Sequence, residues 1–150
     1  MFKRILVPVD GSDTANKALV TALQLARNSG GRIRLVHSLD ELAYLWGYEY
    51  RGDTVTLARE HATKVLNAAE DMAKSAGVPA ERQLMEVPGV RLGDTVASEA
   101  RQWEADLIVV GTHGRRGISR VMLGSGAEQV IRAAPVPVLV IPGEDRQATA

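Results

Sequence analysis

The chain has 150 residues, a single-domain length that can bury one core without disulfides or structural metals. Hydrophobic residues make up 45% and charged residues 24%, which excludes a disordered or fibrous chain; 18 basic against 18 acidic side chains leave no net charge to draw nucleic acid or an anionic membrane. Cysteine is absent, so disulfide and thiolate chemistry are excluded, and a reducing compartment suits the composition.

The first ten residues, MFKRILVPVD, hold an apolar run broken by Pro8 and closed by Asp10, too short for a secretory leader or a membrane span. A cytoplasmic protein with no membrane segment is expected. Ile5 to Val9 reads as a central parallel strand, continuous in apolar residues because both faces are covered. The spacing turns helical after Asp10-Gly11-Ser12: Ala15, Ala18, Leu19, Ala22, Leu23 and Ala26 share a face, Ser12 is placed to cap the start, and Gly30-Gly31 ends it. Ile33 to His37 supplies a second strand. An aromatic connection containing Tyr44, Trp46, Tyr48 and Tyr50 then leads to a long helix with Val55, Ala58, Ala62, Val65, Leu66, Ala69 and Met72 on one stripe, stopping at Gly77 and Pro79.

Gln83 to Val87 reads as a third strand at a partly solvated edge, and a third helix runs through Thr95, Val96, Ala100 and Trp103. Leu107 to Val110 is the most strand-like stretch and ends at Gly111. A fourth helical stripe, Ala127, Val130, Ile131 and Ala134, precedes a last strand over Val138 to Ile141. The tail from Gly143 is polar and expected to be mobile. This alternation predicts right-handed crossovers and one doubly wound α/β domain with a five-stranded parallel sheet, order 3-2-1-4-5, helices on both faces, and a core over about residues 2–142. The order reverses between the first and fourth strands, so their C-terminal ends define the expected ligand crevice.

Gly111, Gly114, Gly117, Gly124 and Gly126 fall in one stretch after the fourth strand. Any one of them is explained by a tight turn or a helix start. As a group, around a basic loop at the switch point, they point to a phosphate site: glycine lets a ligand approach the backbone, and Gly124-Ser125 precede a helix whose first N–H groups attract an anion. No G-x-x-x-x-G-K-[ST], G-x-G-x-x-G after the first strand, or G-x-S-x-G is present, which argues against P-loop, ordinary dinucleotide-fold and α/β-hydrolase readings.

Asp10 is read as a ligand residue at the switch point, against simple turn chemistry before Gly-Ser. His113 lies inside the loop with no partner identified to orient it, and His37 and His61 lack metal-ligand spacing. Arg115, Arg116 and Arg120 form the one compact basic cluster; Arg115 is assigned to phosphate attraction and the other two are left unassigned. The aromatic cluster is read first as packing on its own helices and second as a lid. Val136 to Pro142 lacks the polar protection of an ordinary edge strand, so something is expected to cover it.

Gly111-x2-Gly114-x9-Gly124-Ser125, together with the opening Ile5 to Ser12, resembles the nucleotide-binding branch of the universal stress protein family. The resemblance implies a Rossmann-like, adenine nucleotide alpha hydrolase-like fold that binds ATP, with ADP or AMP as alternatives, and Mg2+ held through the phosphates. It implies Pro8, Val9 and Asp10 beside the adenosine, Val36 against adenine, Gly111 and Gly114 along ribose and phosphates, and Arg115 contributing backbone or charge. Gly124, Ser125 and Gly126 would hold the phosphates. It also implies a twofold homodimer paired through Val138, Leu139, Val140 and Ile141. At Gly126-Ala127 the chain departs from many such relatives, which carry a β-branched and then a hydroxyl residue there; a donor to the terminal phosphate is lost. The leading functional expectation is a nucleotide-responsive regulatory module acting on another protein in stress response. A slow ATPase or phosphotransferase using Ser119, Ser125 or His113, and a dimeric scaffold with a vestigial site, are the alternatives.

Overall fold

The computed structural model describes residues 1–39, 53–86, 90–112 and 123–143. Nine elements alternate along it: β1 (Arg4–Pro8), α1 (Asp13–Ser29), β2 (Arg32–Ser38), α2 (Asp53–Ala76), β3 (Ala80–Met85), α3 (Leu92–Trp103), β4 (Leu107–Gly111), α4 (Ser125–Ala133) and β5 (Val138–Ile141). The strands form one sheet in the order β3-β2-β1-β4-β5, and every pairing is parallel. The predicted order and fold class are therefore observed. The aromatic segment from Tyr44 to Tyr50, Val87, and the tail beyond Gly143 lie outside the described residues.

The sheet carries a separate core on each face. Ile5, Val7, Ile33, Leu35 and Val109 pack against Ala18, Leu19 and Ala22 of α1 and Leu66 and Ala69 of α2. The alternate residues Leu6, Val36, Ile108 and Val110 meet Val96, Ala100 and Trp103 of α3 and Ala127 and Val130 of α4. Ile5, Leu6 and Val7 are wholly buried in succession. This explains the unbroken apolar run of β1: with both faces covered, each side chain contributes roughly 1.5–3 kcal/mol of burial.

Helix limits follow local chemistry. Ser12 Oγ accepts from Ala15 N–H at the start of α1, and Gly30 adopts φ +71° at its end, a left-handed cap that glycine takes without strain. Two sequence expectations shift. β3 begins three residues earlier than predicted, because its register with β2 runs from Ile33↔Ala80 to Ser38↔Met85. Polar Glu81 and Arg82 join Gln83 in the strand because its open edge leaves them in solvent. On α4 only Ala127 and Val130 are buried, while Ile131 is 40% exposed, so the stripe facing the core is narrower than its apolar spacing.

The N-terminal end of the sheet is closed by polar ties. Asp106 accepts from Lys3 N–H and Arg4 N–H at 2.8 and 3.1 Å, and Arg4 donates to the Trp103 carbonyl while its guanidinium stacks 4.4 Å from the indole centroid. Arg34 of β2 is paired with buried Glu99 of α3 and with Glu81 of β3, whose carboxylate also accepts from the Trp103 indole N–H. These contacts anchor α3 at the end of the sheet opposite the crevice. Among the described residues, no helix is long and apolar enough to cross a membrane.

Candidate functional site

The crevice is assembled where β1 and β4 end. Val9 donates its N–H to the Val36 carbonyl at 2.8 Å, and its own carbonyl accepts from His37 Nδ1 at 2.7 Å; a carbonyl only accepts, so this nitrogen carries the proton. Both backbone groups of Val9 are thus held by β2. The chain then turns: Asp10 Oδ1 accepts from Ser12 N–H at 2.9 Å and Gly11 sits at φ +84°. Asp10 therefore shapes the turn that starts α1, which is the turn chemistry weighed against its ligand role.

α1 meets β4 at Gly111. A Cβ there would lie 2.5 Å from Thr14 Cγ2, so the first turn of α1 rests directly on the last residue of β4. Beyond it, Thr112 N–H donates to Ile141 O at 3.0 Å, and Gly124 N–H donates to Thr112 O at 2.6 Å. The two ends of the glycine-rich segment are in this way fastened to each other. Gly124 is the N-cap of α4 and makes no side-chain cap bond, and Ser125 follows it, exposed. The first turn of α4 thus lacks the hydroxyl that Ser12 provides for α1, which leaves it suited to an anion.

An adjoining cleft of about 760 Å³ is walled by Ser38 at the end of β2 and Leu39 after it, by Val90, Arg91 and Leu92 at the head of α3, and by Ser125, Gly126, Glu128, Gln129 and Arg132 on α4. Its volume lies in the range that takes a small organic ligand. Glu128 and Arg132 pair at 2.9 Å one turn apart; both are well exposed, so the pair adds little stability. Among the described residues, no group of three or more His, Cys, Asp or Glu is arranged to hold a metal.

The predicted site residues divide into three sets. Pro8, Val9, Asp10 and Gly111 stand at the ends of β1 and β4, and Gly124, Ser125 and Gly126 open α4 beside them. Val36 is 2% exposed and packs in the core toward α3, so β2 reaches the cleft through Ser38 and Leu39. Gly114 and Arg115 lie outside the described residues, as do His113, Arg116, Ser119 and Arg120. The sequence reading missed Ser38, Arg91 and Gln129. Ser38 was within reach, since it directly follows the strand expected to end at His37 and the C-terminal edge is where such sheets bind; Gln129 carried no signal.

A parallel doubly wound sheet with a glycine turn after its first strand and an uncapped helix start after its fourth, both at the switch point, defines a Rossmann-like α/β domain with its crevice at the C-terminal edge of the sheet. The model of the universal stress protein family matches residues 1–142. The chain belongs to the universal stress protein family. It is 36% identical over 141 residues to a universal stress protein of Thermus aquaticus, covering 94% of this chain and 99% of that one. With universal stress protein MJ0531 of Methanocaldococcus jannaschii the identity is 33% over 144 residues, 94% and 82% of the two chains.

Among solved structures, hypothetical protein MJ0577 shares the fold at TM-score 0.84 and 24% identity, with 97% of this chain and 99% of that one aligned. The Archaeoglobus fulgidus universal stress protein in complex with dAMP aligns at TM-score 0.70 and 28% identity, over 94% and 98%. A universal stress protein in complex with cAMP aligns at 0.68 and 25%, over 93% and 96%.

Proposed function

We propose that this chain binds an adenine nucleotide at the C-terminal edge of its sheet and acts as a nucleotide-responsive regulatory protein of the cytoplasm. One observation carries the reading: the Asp10-Gly11-Ser12 turn, the Gly111-Thr112 end of β4 and the Gly124-Ser125 start of α4 converge at the topological switch point, tied by Thr14 and by the Gly124 N–H to Thr112 carbonyl bond. The dAMP and cAMP complexes of the two related proteins support it.

In this reading the phosphates sit at the head of α4, where the backbone of Ser125 and Gly126, the Ser125 hydroxyl and the helix dipole favour negative charge by about 0.3–1 kcal/mol for the dipole alone. The base lies toward β1 and β2, with Leu39, Val90 and Leu92 as apolar walls. Gly114 and Arg115 would complete the phosphate contacts, and Mg2+ would be held through phosphate oxygens. Ala127 is buried and has no hydroxyl to offer a terminal phosphate, so AMP and ADP are expected to bind about as well as ATP. Pairing of β5 with its twofold mate would cover Leu139, which is 37% exposed on an edge strand without charged protection.

The test is direct. Purified protein is denatured and the released small molecules identified by mass spectrometry, and the stripped protein is titrated calorimetrically with AMP, ADP and ATP, with and without Mg2+. Adenine nucleotide released at up to one per chain and saturable binding are expected. Absence of both at millimolar nucleotide would refute the reading.

A further inference from the structure

The helix that forms the far wall of the cleft is capped from outside itself. α3 begins at Arg91, whose side chain makes no cap bond, and Gly93 N–H in its first turn donates instead to Gln129 Oε1 of α4 at 3.2 Å. The orientation of that amide is set by chemistry, since only its oxygen accepts. The backbones are also pressed together at this point: a Cβ on Gly93 would lie 2.4 Å from the Gln129 carbonyl oxygen. Gln129 lines the cleft, Arg91 and Leu92 immediately before Gly93 form its α3 wall, and Ser125 and Gly126, one turn before Gln129, form its α4 wall. A single side chain therefore spans the two walls.

We propose that Gln129 is a positioning residue for the ligand: by holding Gly93 it fixes the separation of the α3 and α4 walls before anything binds. The inference rests on the nucleotide reading above. A cleft pinned in the free protein spares the ligand the cost of ordering its walls, and an unpinned one charges that cost to affinity. A cap that served stability alone would leave affinity untouched, because the folded population would bind as before.

Two variants separate these roles. Gln129→Met keeps the length but removes the acceptor; Gln129→Glu keeps an oxygen for Gly93. Each is titrated with AMP and with uncharged adenosine, so that the new carboxylate does not by itself set the result, under conditions where circular dichroism shows it folded. Gly93 amide exchange is followed by NMR. In Gln129→Met, affinity for both ligands is expected to fall roughly three- to tenfold, the ratio a lost ordinary hydrogen bond gives, with faster Gly93 exchange. Gln129→Glu is expected to restore adenosine binding to within about twofold. Wild-type affinity in Gln129→Met, or adenosine binding by Gln129→Glu as weak as in Gln129→Met, would overturn the proposal while leaving the nucleotide reading standing. Failure of the wild type to bind either ligand would remove both.

Discussion

Gly111 has no room for a side chain. A methyl group there would lie 2.5 Å from Thr14 Cγ2 and about as near as atoms come, 3.1 Å, to Thr14 Cβ and carbonyl carbon, all in a buried contact. Gly111→Ala is expected to cost about 1–3 kcal/mol in urea unfolding, the range for overpacking a well-filled site. Adding Thr14→Ser, which removes the nearest carbon, should recover part of that loss; an unchanged midpoint in Gly111→Ala would contradict the contact. The same residue shows where sequence reading stops. The density and position of the glycine cluster were legible, and they point to a phosphate cradle at the switch point. Which glycines are demanded by packing was not, because Thr14 lies 97 positions away in sequence and meets Gly111 only through the crossover of α1. The burial of Val36 was hidden for a related reason: a strand covered on both faces does not say in sequence which of its residues pack under α3 and which reach the crevice.

At the scale of the element, β3 shows how an edge strand uses polar residues. Its Glu81 carboxyl is held below the usual carboxylate range, chiefly by its hydrogen bond from Arg34, against the opposing effect of burial and with help from the Trp103 indole N–H. A carboxylate whose pKa is lower in the folded than in the unfolded state adds stability above its unfolded value near 4.5, and loses it as pH falls through the folded value. The wild type should therefore lose stability below about pH 4.5 more steeply than Glu81→Gln, measured by urea midpoints from pH 7 to pH 3. Parallel slopes would deny Glu81 this role. Its 49% exposed side chain keeps the effect modest. The early start of β3 was hidden in the sequence because Ala80-Glu81-Arg82 look like loop, and only the pairing of β3 with β2 and the Arg34 tie to Glu81 make them strand.

For the whole molecule, strand order was legible from alternation alone, since chain-order rules leave few ways to wind such elements. Assembly is the larger question. Among the described residues, β5 is bonded on one side only, to β4. Sedimentation should give a dimer for the wild type and a monomer for Leu139→Lys. That residue is a cleaner choice than Val138, which packs against the second core, and a dimer persisting in Leu139→Lys would refute pairing through this edge.

Strand order also sets a schedule. β1, the earliest of these five strands in chain order, lies in the middle of the sheet, and Asp106 secures the backbone at its start, 103 positions downstream of Lys3 and 102 downstream of Arg4. A chain emerging from the ribosome can pair β1 with β2 early, but its other edge stays open until β4, about a hundred residues after β1, has followed. A strand whose Ile5, Leu6 and Val7 end up wholly buried must therefore wait, half-paired and sticky, while the residues between it and β4 are made, and the crevice that depends on β1 and β4 together forms only once both are in place.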